Sequence, residues 1–174
     1  MILDINGFKV LLIHGHQFFK GDNQMKYFYD KVIKIYKNFD LCLFGHSHVF
    51  LDEKYKGKRF VNPGSIGQPT DSNTYKYVII DFGDTVNLTL REFNVLDSIN
   101  ELEESIKNSD YYKESPVWTK LILDTIRDGY DHCCEFIDLL NENDVNDLSE
   151  EDFNRKWDEA FEKYKNAKNS PNLI

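Results

Sequence analysis

The sequence predicts an α/β fold built on a mixed sheet, and three patterns carry that prediction. Gly7 to Ile13 is apolar on both faces, with Phe8, Val10 and Leu12 on one and Leu11 and Ile13 on the other. A strand covered on both sides reads this way. Met25, Phe28, Tyr29, Val32, Ile33 and Tyr36 then recur at the helical period, and Leu41 to Phe44 is a second short apolar run. From residue 49 onward the pattern changes to hairpins, which adds antiparallel strands to the parallel pair.

Taken in order, strand, helix and strand through residue 44 form a βαβ unit. Asp22 is placed to cap a helix running to about Asn38, and Gln17 to Gly21 is a loop whose aromatics are free to pack on the site or on a substrate. Val49 to Tyr55 and Lys58 to Val61 make a hairpin around Lys56-Gly57. Asn62-Pro63-Gly64-Ser65 is a turn, because Pro fixes φ and Gly permits a left-handed backbone. Tyr75 to Phe82 and Thr85 to Phe93 are two further strands joined at Gly83-Asp84. In the second, Val86, Leu88 and Leu90 alternate with Asn87, Thr89 and Arg91, the pattern of one wet face.

Both apolar strands of the βαβ unit end in histidines. Lys9 to Ile13 empties into His14-Gly15-His16, and Leu41 to Phe44 into Gly45-His46-Ser47-His48. Four of the five histidines fall in these two clusters. Ligands gather at the carboxyl ends of parallel strands, and neutral imidazole is the commonest metal ligand. If the segment after Gly45 is extended, His46 and His48 face one way and Ser47 the other. The spacing predicts one metal site fed from two strand ends.

Composition bounds the alternatives. With 174 residues, 41% of them apolar and 14% aromatic, the chain is globular rather than disordered. Three cysteines, two adjacent, make no disulfide framework and suit a reducing compartment. No run reaches the length of a membrane span, and Met1 to Val10 carries no signal-peptide pattern. A cytoplasmic protein with no membrane contact is expected. The net charge of −9 is uneven: residues 1–94 hold 12 basic and 10 acidic side chains, residues 95–174 hold 9 and 20. The shift marks a boundary near residue 95, and the acidic half argues against broad nucleic-acid binding.

Leu12-Ile13-His14-Gly15-His16, Phe44-Gly45-His46-Ser47-His48 and Val61-Asn62-Pro63-Gly64-Ser65-Ile66-Gly67 together resemble the last three motifs of the calcineurin-like metallophosphoesterases. The compact prokaryotic phosphodiesterase branch, which also includes the retromer scaffold subunit, is the nearest pattern. The resemblance covers about residues 5–94 and implies a four-layer α/β/β/α sandwich holding two divalent metals. Manganese is the expected ion, with zinc, nickel or iron(II) as alternatives. Carried over, His14 and His46 would bind one metal and His48 the other. His16 would stand behind the ligands or face the substrate, and is the candidate catalytic residue. The implied reaction is hydrolysis of a phosphodiester-containing small molecule or nucleotide by metal-activated water.

The family's opening motifs, Asp-x-His, Gly-Asp-x-x-Asp/His and Gly-Asn-His, have no counterpart here, so the bridging carboxylate and the Asn-His pair are missing. Gly21-Asp22-Asn23-Gln24 only superficially resembles the second motif. The expectation is therefore the C-terminal half of a catalytic domain. It would be completed by an N-terminal-half polypeptide or a homo-oligomer, truncated, or kept as a non-catalytic binding or scaffold module. Without the other half, the strand Lys9 to Ile13 is expected to expose a large sticky face.

Residues 95–174 read as an acidic, three-helix extension without visible chemistry. Leu96, Ile99, Leu102 and Ile106 form one stripe. Val117, Leu121, Ile126, Cys133, Phe136, Ile137 and Leu140 form another, with Gly129 a weak point. Ser149 and Asp152 open a third helix in the manner of a capping box, with Phe153, Trp157, Phe161 and Tyr164 as its apolar face. Cys133 and Cys134 are expected to be buried in a helix.

Overall fold

The computed structural model describes residues 1–18, 25–94, 96, 98–141 and 149–169. They fall into two compact units, Met1–Asp97 and Ser98–Ile174. The first is a mixed α/β unit. Strands β1 (Ile2–Ile5), β2 (Phe8–Leu12), β3 (Leu41–Leu43), β4 (Phe50–Tyr55) and β5 (Lys58–Pro63) form one sheet in the order β1-β2-β3-β5-β4. β3 lies parallel to both β2 and β5, with Val10 opposite Leu41 and Leu41 opposite Arg59. The outer pairs β1–β2 and β4–β5 are antiparallel. Strands β6 (Thr74–Phe82) and β7 (Val86–Asn94) form a separate antiparallel hairpin.

Helix α1 (Met25–Ile35) covers one face of the large sheet. Its buried Phe28, Tyr29 and Val32 pack with Leu11, Phe39, Cys42, Phe44 and Phe60. Full burial of each such side chain contributes roughly 1.5–3 kcal/mol. The Tyr29 hydroxyl keeps a partner inside this core by donating to Glu53 Oε2 at 2.7 Å, which meets the requirement that buried polar groups be bonded. On the opposite face Val10, Leu41 and Val61 are covered by Ile80, Phe82, Val86 and Leu88 of the hairpin. The sticky face expected along β2 is therefore closed: Val10 and Leu11 are 1% and 0% exposed. The alternating apolar residues of β6 and β7 do this work from the chain's own second sheet.

Two local expectations change. The strand β1 has no place in the sequence reading, yet Asn6 and Gly7 turn the chain with φ of 49° and 86° and pair it onto β2. In the loop after His16, residues His16–Phe18 make a single 3₁₀ turn, with Phe18 N donating to Gly15 O. The Phe18 ring packs on Phe28 and Tyr36 instead of facing a site. The expected cap at Asp22 lies outside the described residues, as do Phe19 to Gly21.

The second unit has five described helices where three were expected: α2 (Ile99–Lys107), α3 (Asp110–Glu114), α4 (Pro116–Asp128), α5 (His132–Asn141) and α6 (Glu150–Asn169). The predicted middle helix is two, because Gly129 takes φ 73° and ends α4 in a left-handed cap. Ser109 caps α3 by accepting from Tyr112 N. Leu121, Cys133, Phe136, Leu140, Ala160 and Tyr164 form the unit's core. Among the described residues no helix is long and apolar enough to cross a membrane.

The cysteine expectation needs correction at one position. Cys133 is buried but Cys134 is exposed, being one step round the helix from the packed stripe. Local burial, with the Asp131 carboxylate beside it, pushes the Cys134 thiol up to about 11. The thiolate is the nucleophile, so iodoacetamide at pH 8 is expected to alkylate Cys134 about a hundredfold more slowly than a free thiol. Mass spectrometry of timed aliquots reads that rate.

Candidate functional site

The candidate site stands at the carboxyl ends of β2, β3 and β5. Backbone hydrogen bonds continue past the strand ends and knit the three connections together. Ile13 N donates to Leu43 O, Phe44 N to Val61 O, and Gly45 N to His14 O at 3.1 Å. The two histidine-bearing segments are thereby side by side. Ring centroids of His14 and His46 lie 5.3 Å apart, His14 and His16 5.4 Å, and His16 and His46 6.2 Å. All three residues are exposed.

The segment after Gly45 is not extended. His46 and His48 take φ of 75° and 59°, so the argument that placed both rings on one side by alternation does not apply. Left-handed backbone costs a non-glycine residue about 1–2 kcal/mol, and neighbouring groups hold it. Asn62, fully buried, donates from Nδ2 to Gly45 O and to Ser47 Oγ, both at 3.0 Å, and accepts from Gly64 N at Oδ1. Thr70 Oγ1 donates to Ser47 O at 3.0 Å. His48 places Nδ1 2.8 Å from Gln68 O. A carbonyl only accepts, so this contact puts the proton on Nδ1.

Electrostatics inside the cluster favour a neutral His46 ring. Partial burial, followed by the neighbouring His14, His16 and His48, holds the His46 imidazole below its ordinary value. Neutral imidazole keeps a lone pair for a ligand.

The histidines fit a transition-type divalent ion as donors, and they do so as a partial set. Among the described residues no group of three or more His, Cys, Asp or Glu side chains converges closely enough to hold a metal ion. Asp71, on the segment that touches His48, spends its carboxylate on Lys76. The structure thus brings His14, His16 and His46 together, and sets His48 against Gln68 close enough to act electrostatically on His46. Asn62 has a larger part than a turn residue: it carries the histidine loop on its side-chain amide.

Gly64 completes the turn with φ 81°, and a Cβ there would lie 2.8 Å from Lys76 Cβ. Gly64→Ala is expected to destabilise the unit by about 2 kcal/mol from the left-handed backbone alone, read as a lower urea midpoint at unchanged slope.

A mixed sheet whose parallel strands end in clustered imidazoles defines a class, the α/β proteins with a ligand site at the carboxyl edge of the sheet. The family follows from comparison. Residues 1–85 match the calcineurin-like phosphoesterase superfamily domain. Two curated relatives each match about half of the chain. The probable metallophosphoesterase MG207 of Mycoplasma genitalium is 29% identical over 96 residues, 53% of this chain and 58% of that protein. The probable metallophosphoesterase YsnB of Bacillus subtilis is 31% identical over 80 residues, 46% of each. The crystal structure of a hypothetical protein from Pyrococcus horikoshii shares the fold at 17% identity and a TM-score of 0.50, covering 74% of this chain and 50% of that one. The N-terminal unit belongs to the calcineurin-like phosphoesterase superfamily, and the chain spans about half the length of the curated relatives it matches. Membership implies a divalent metal.

Proposed function

We propose that this chain supplies the histidine side of a divalent-metal-dependent phosphoester hydrolase, acting on a phosphodiester-containing small molecule or nucleotide in the cytoplasm. The observation that carries the reading is the grouping of the His14, His16 and His46 rings at the ends of β2 and β3, in a unit that belongs to the superfamily. His14 and His46 are the proposed ligands of one ion and His48 of a second, with His16 facing the substrate. When bound, such ions polarise the phosphoryl oxygens and lower the pKa of water. Manganese is the proposed ion, with zinc, nickel or iron(II) as alternatives.

Imidazoles bring no negative charge and do not bridge two cations. The acidic ligands of the proposed centre therefore come from groups outside the described residues, on an N-terminal-half polypeptide or a second copy. In this reading residues 1–94 are the phosphoesterase part and 95–174 an acidic helical appendage.

The test is hydrolysis of a chromogenic phosphodiester by the full chain with Mn²⁺. It is run alone and with a polypeptide carrying the Asp-x-His, Gly-Asp-x-x-Asp and Gly-Asn-His motifs. Manganese-dependent turnover in the mixture, lost in His46→Ala, is expected. Absence of turnover in both settings overturns the enzyme reading. It would favour a binding or scaffold module, a reading supported by the absence of any carboxylate joining the histidines among the described residues.

A further inference from the structure

Lys76 is a buried cation with no part in the proposed chemistry. Its side chain is 9% exposed, and Nζ donates to both oxygens of Asp71, at 2.9 and 2.7 Å. Its aliphatic stem lies over Gly64, so closely that a Cβ on that glycine would meet Lys76 Cβ at 2.8 Å and Cδ at 3.3 Å. Its backbone N donates to Ser65 O at 2.8 Å. One residue of β6 therefore grips both ends of the segment 64–71. Inside that segment Ser65 Oγ accepts from Gly67 N and Gln68 N, at 3.2 and 2.8 Å. Two contacts of the segment go to the histidine loop: His48 Nδ1 lies on Gln68 O, and Thr70 Oγ1 donates to Ser47 O.

Holding a lysine in this position has a cost, since a buried charge requires a paired and hydrogen-bonded partner. The bidentate contact with Asp71 meets that requirement, and the geometry gives it a use. We propose that Lys76 and Asp71 are positioning residues for His48. By pinning the strap 64–71 at both ends they keep the Gln68 carbonyl on Nδ1, which fixes the Nδ1–H tautomer. Nε2 is then the lone-pair nitrogen, available to an incoming ligand. A ring nitrogen's role is set by the hydrogen bond made at the other nitrogen. The inference rests on the reading that the histidines form a functional site, but its test needs neither a metal nor activity.

Long-range ¹H–¹⁵N spectra of the metal-free full chain read the tautomer of each histidine. In the unaltered protein His48 is expected as the Nδ1–H form. Lys76→Met keeps the stem over Gly64 and removes the charge; Asp71→Asn keeps the shape of the carboxylate and removes its charge. Each is expected to convert His48 to a mixture in which the Nε2–H form, the ordinary preference of a free imidazole, is at least half populated. His132 of the second unit serves as an unchanged internal reference. An unaltered His48 tautomer in the folded variants overturns the proposal, and so does an Nε2–H form in the starting protein. If Lys76→Met fails to fold, Asp71→Asn decides the matter by the same spectrum.

Discussion

Phe28→Ala should cost the N-terminal unit about 3–5 kcal/mol, the range for truncating a fully buried aromatic. Phe28 is 0% exposed, and among the described residues its ring faces Phe44 at 4.7 Å, Tyr29 at 5.8 Å, Phe18 at 6.2 Å and Phe60 at 6.3 Å. These rings come from α1, β5 and the two connections that carry the histidines. The cavity left behind would border Phe44 and Phe18, one residue before Gly45 and two after His16. Loss of stability and loss of order at the site should therefore go together. Phe28→Leu, which retains most of the volume, should cost less than half as much. Both tryptophans, Trp118 and Trp157, lie in the helical unit. Urea unfolding followed by backbone amide signals of β2 and β3 reads the effect on the first unit, and tryptophan fluorescence reads the second separately.

Asn62→Asp should be nearly as damaging despite changing a single atom. The Asn62 amide donates twice, to Gly45 O and Ser47 Oγ, and accepts once from Gly64 N. A carboxylate in that position sets an acceptor against the Gly45 carbonyl and puts a charge in a fully buried place. Leaving a buried polar group without its partner costs about 1–3 kcal/mol, and more for a charge. Asn62→Ala should lose about 2–3 kcal/mol on the same reasoning, and the aspartate more. The loop carrying His46 and His48 holds two left-handed residues. Without Asn62 that strain has less to oppose it, and the close ring contacts of His14 with His46 should be lost before the sheet melts. Midpoints in urea at pH 7, with histidine ring spectra taken below the midpoint, separate the two effects.

Much of the N-terminal unit was legible in the sequence because its patterns are strong. The two-sided apolar run of β2, the helical stripe of α1 and the alternation of β7 each correspond to an element of the structure. Asn6-Gly7 is a hairpin signal of the same quality, and β1 was passed over because Ile2 to Ile5 is too short to show a period. The closing of the β2 face was not legible. It depends on which sheet face Ile80, Phe82, Val86 and Leu88 meet, a long-range pairing that no local pattern encodes. The helical unit shows the converse: Gly129 was marked as a weak point, but only the structure shows it taking φ 73° and ending a helix.

The sequence put the four histidines just past two strand ends, where the structure has them, but as an extended segment after Gly45, which the structure does not have. Alternation would have grouped His46 with His48, whereas left-handed backbone at both residues sends His46 to His14 and His16 and His48 to Gln68. Nothing in Gly-His-Ser-His announces that turn. The support comes from Asn62 and Thr70, 15 and 23 residues further on. The Asn-Pro-Gly segment was the one hint, read as a turn rather than as a prop for the histidine loop.

The account depends on the imidazoles of residues 14, 16 and 46 standing around one divalent ion, with 14 and 46 as its ligands and 16 beside it. Stepwise addition of Mn²⁺ to the ¹⁵N-histidine-labelled full chain tests this, because the paramagnetic ion broadens nearby ring signals. Broadening of His14, His16 and His46 together, with His132 left sharp, is the predicted result. Sharp signals from all three rings at an ion excess that already broadens His132 would contradict it.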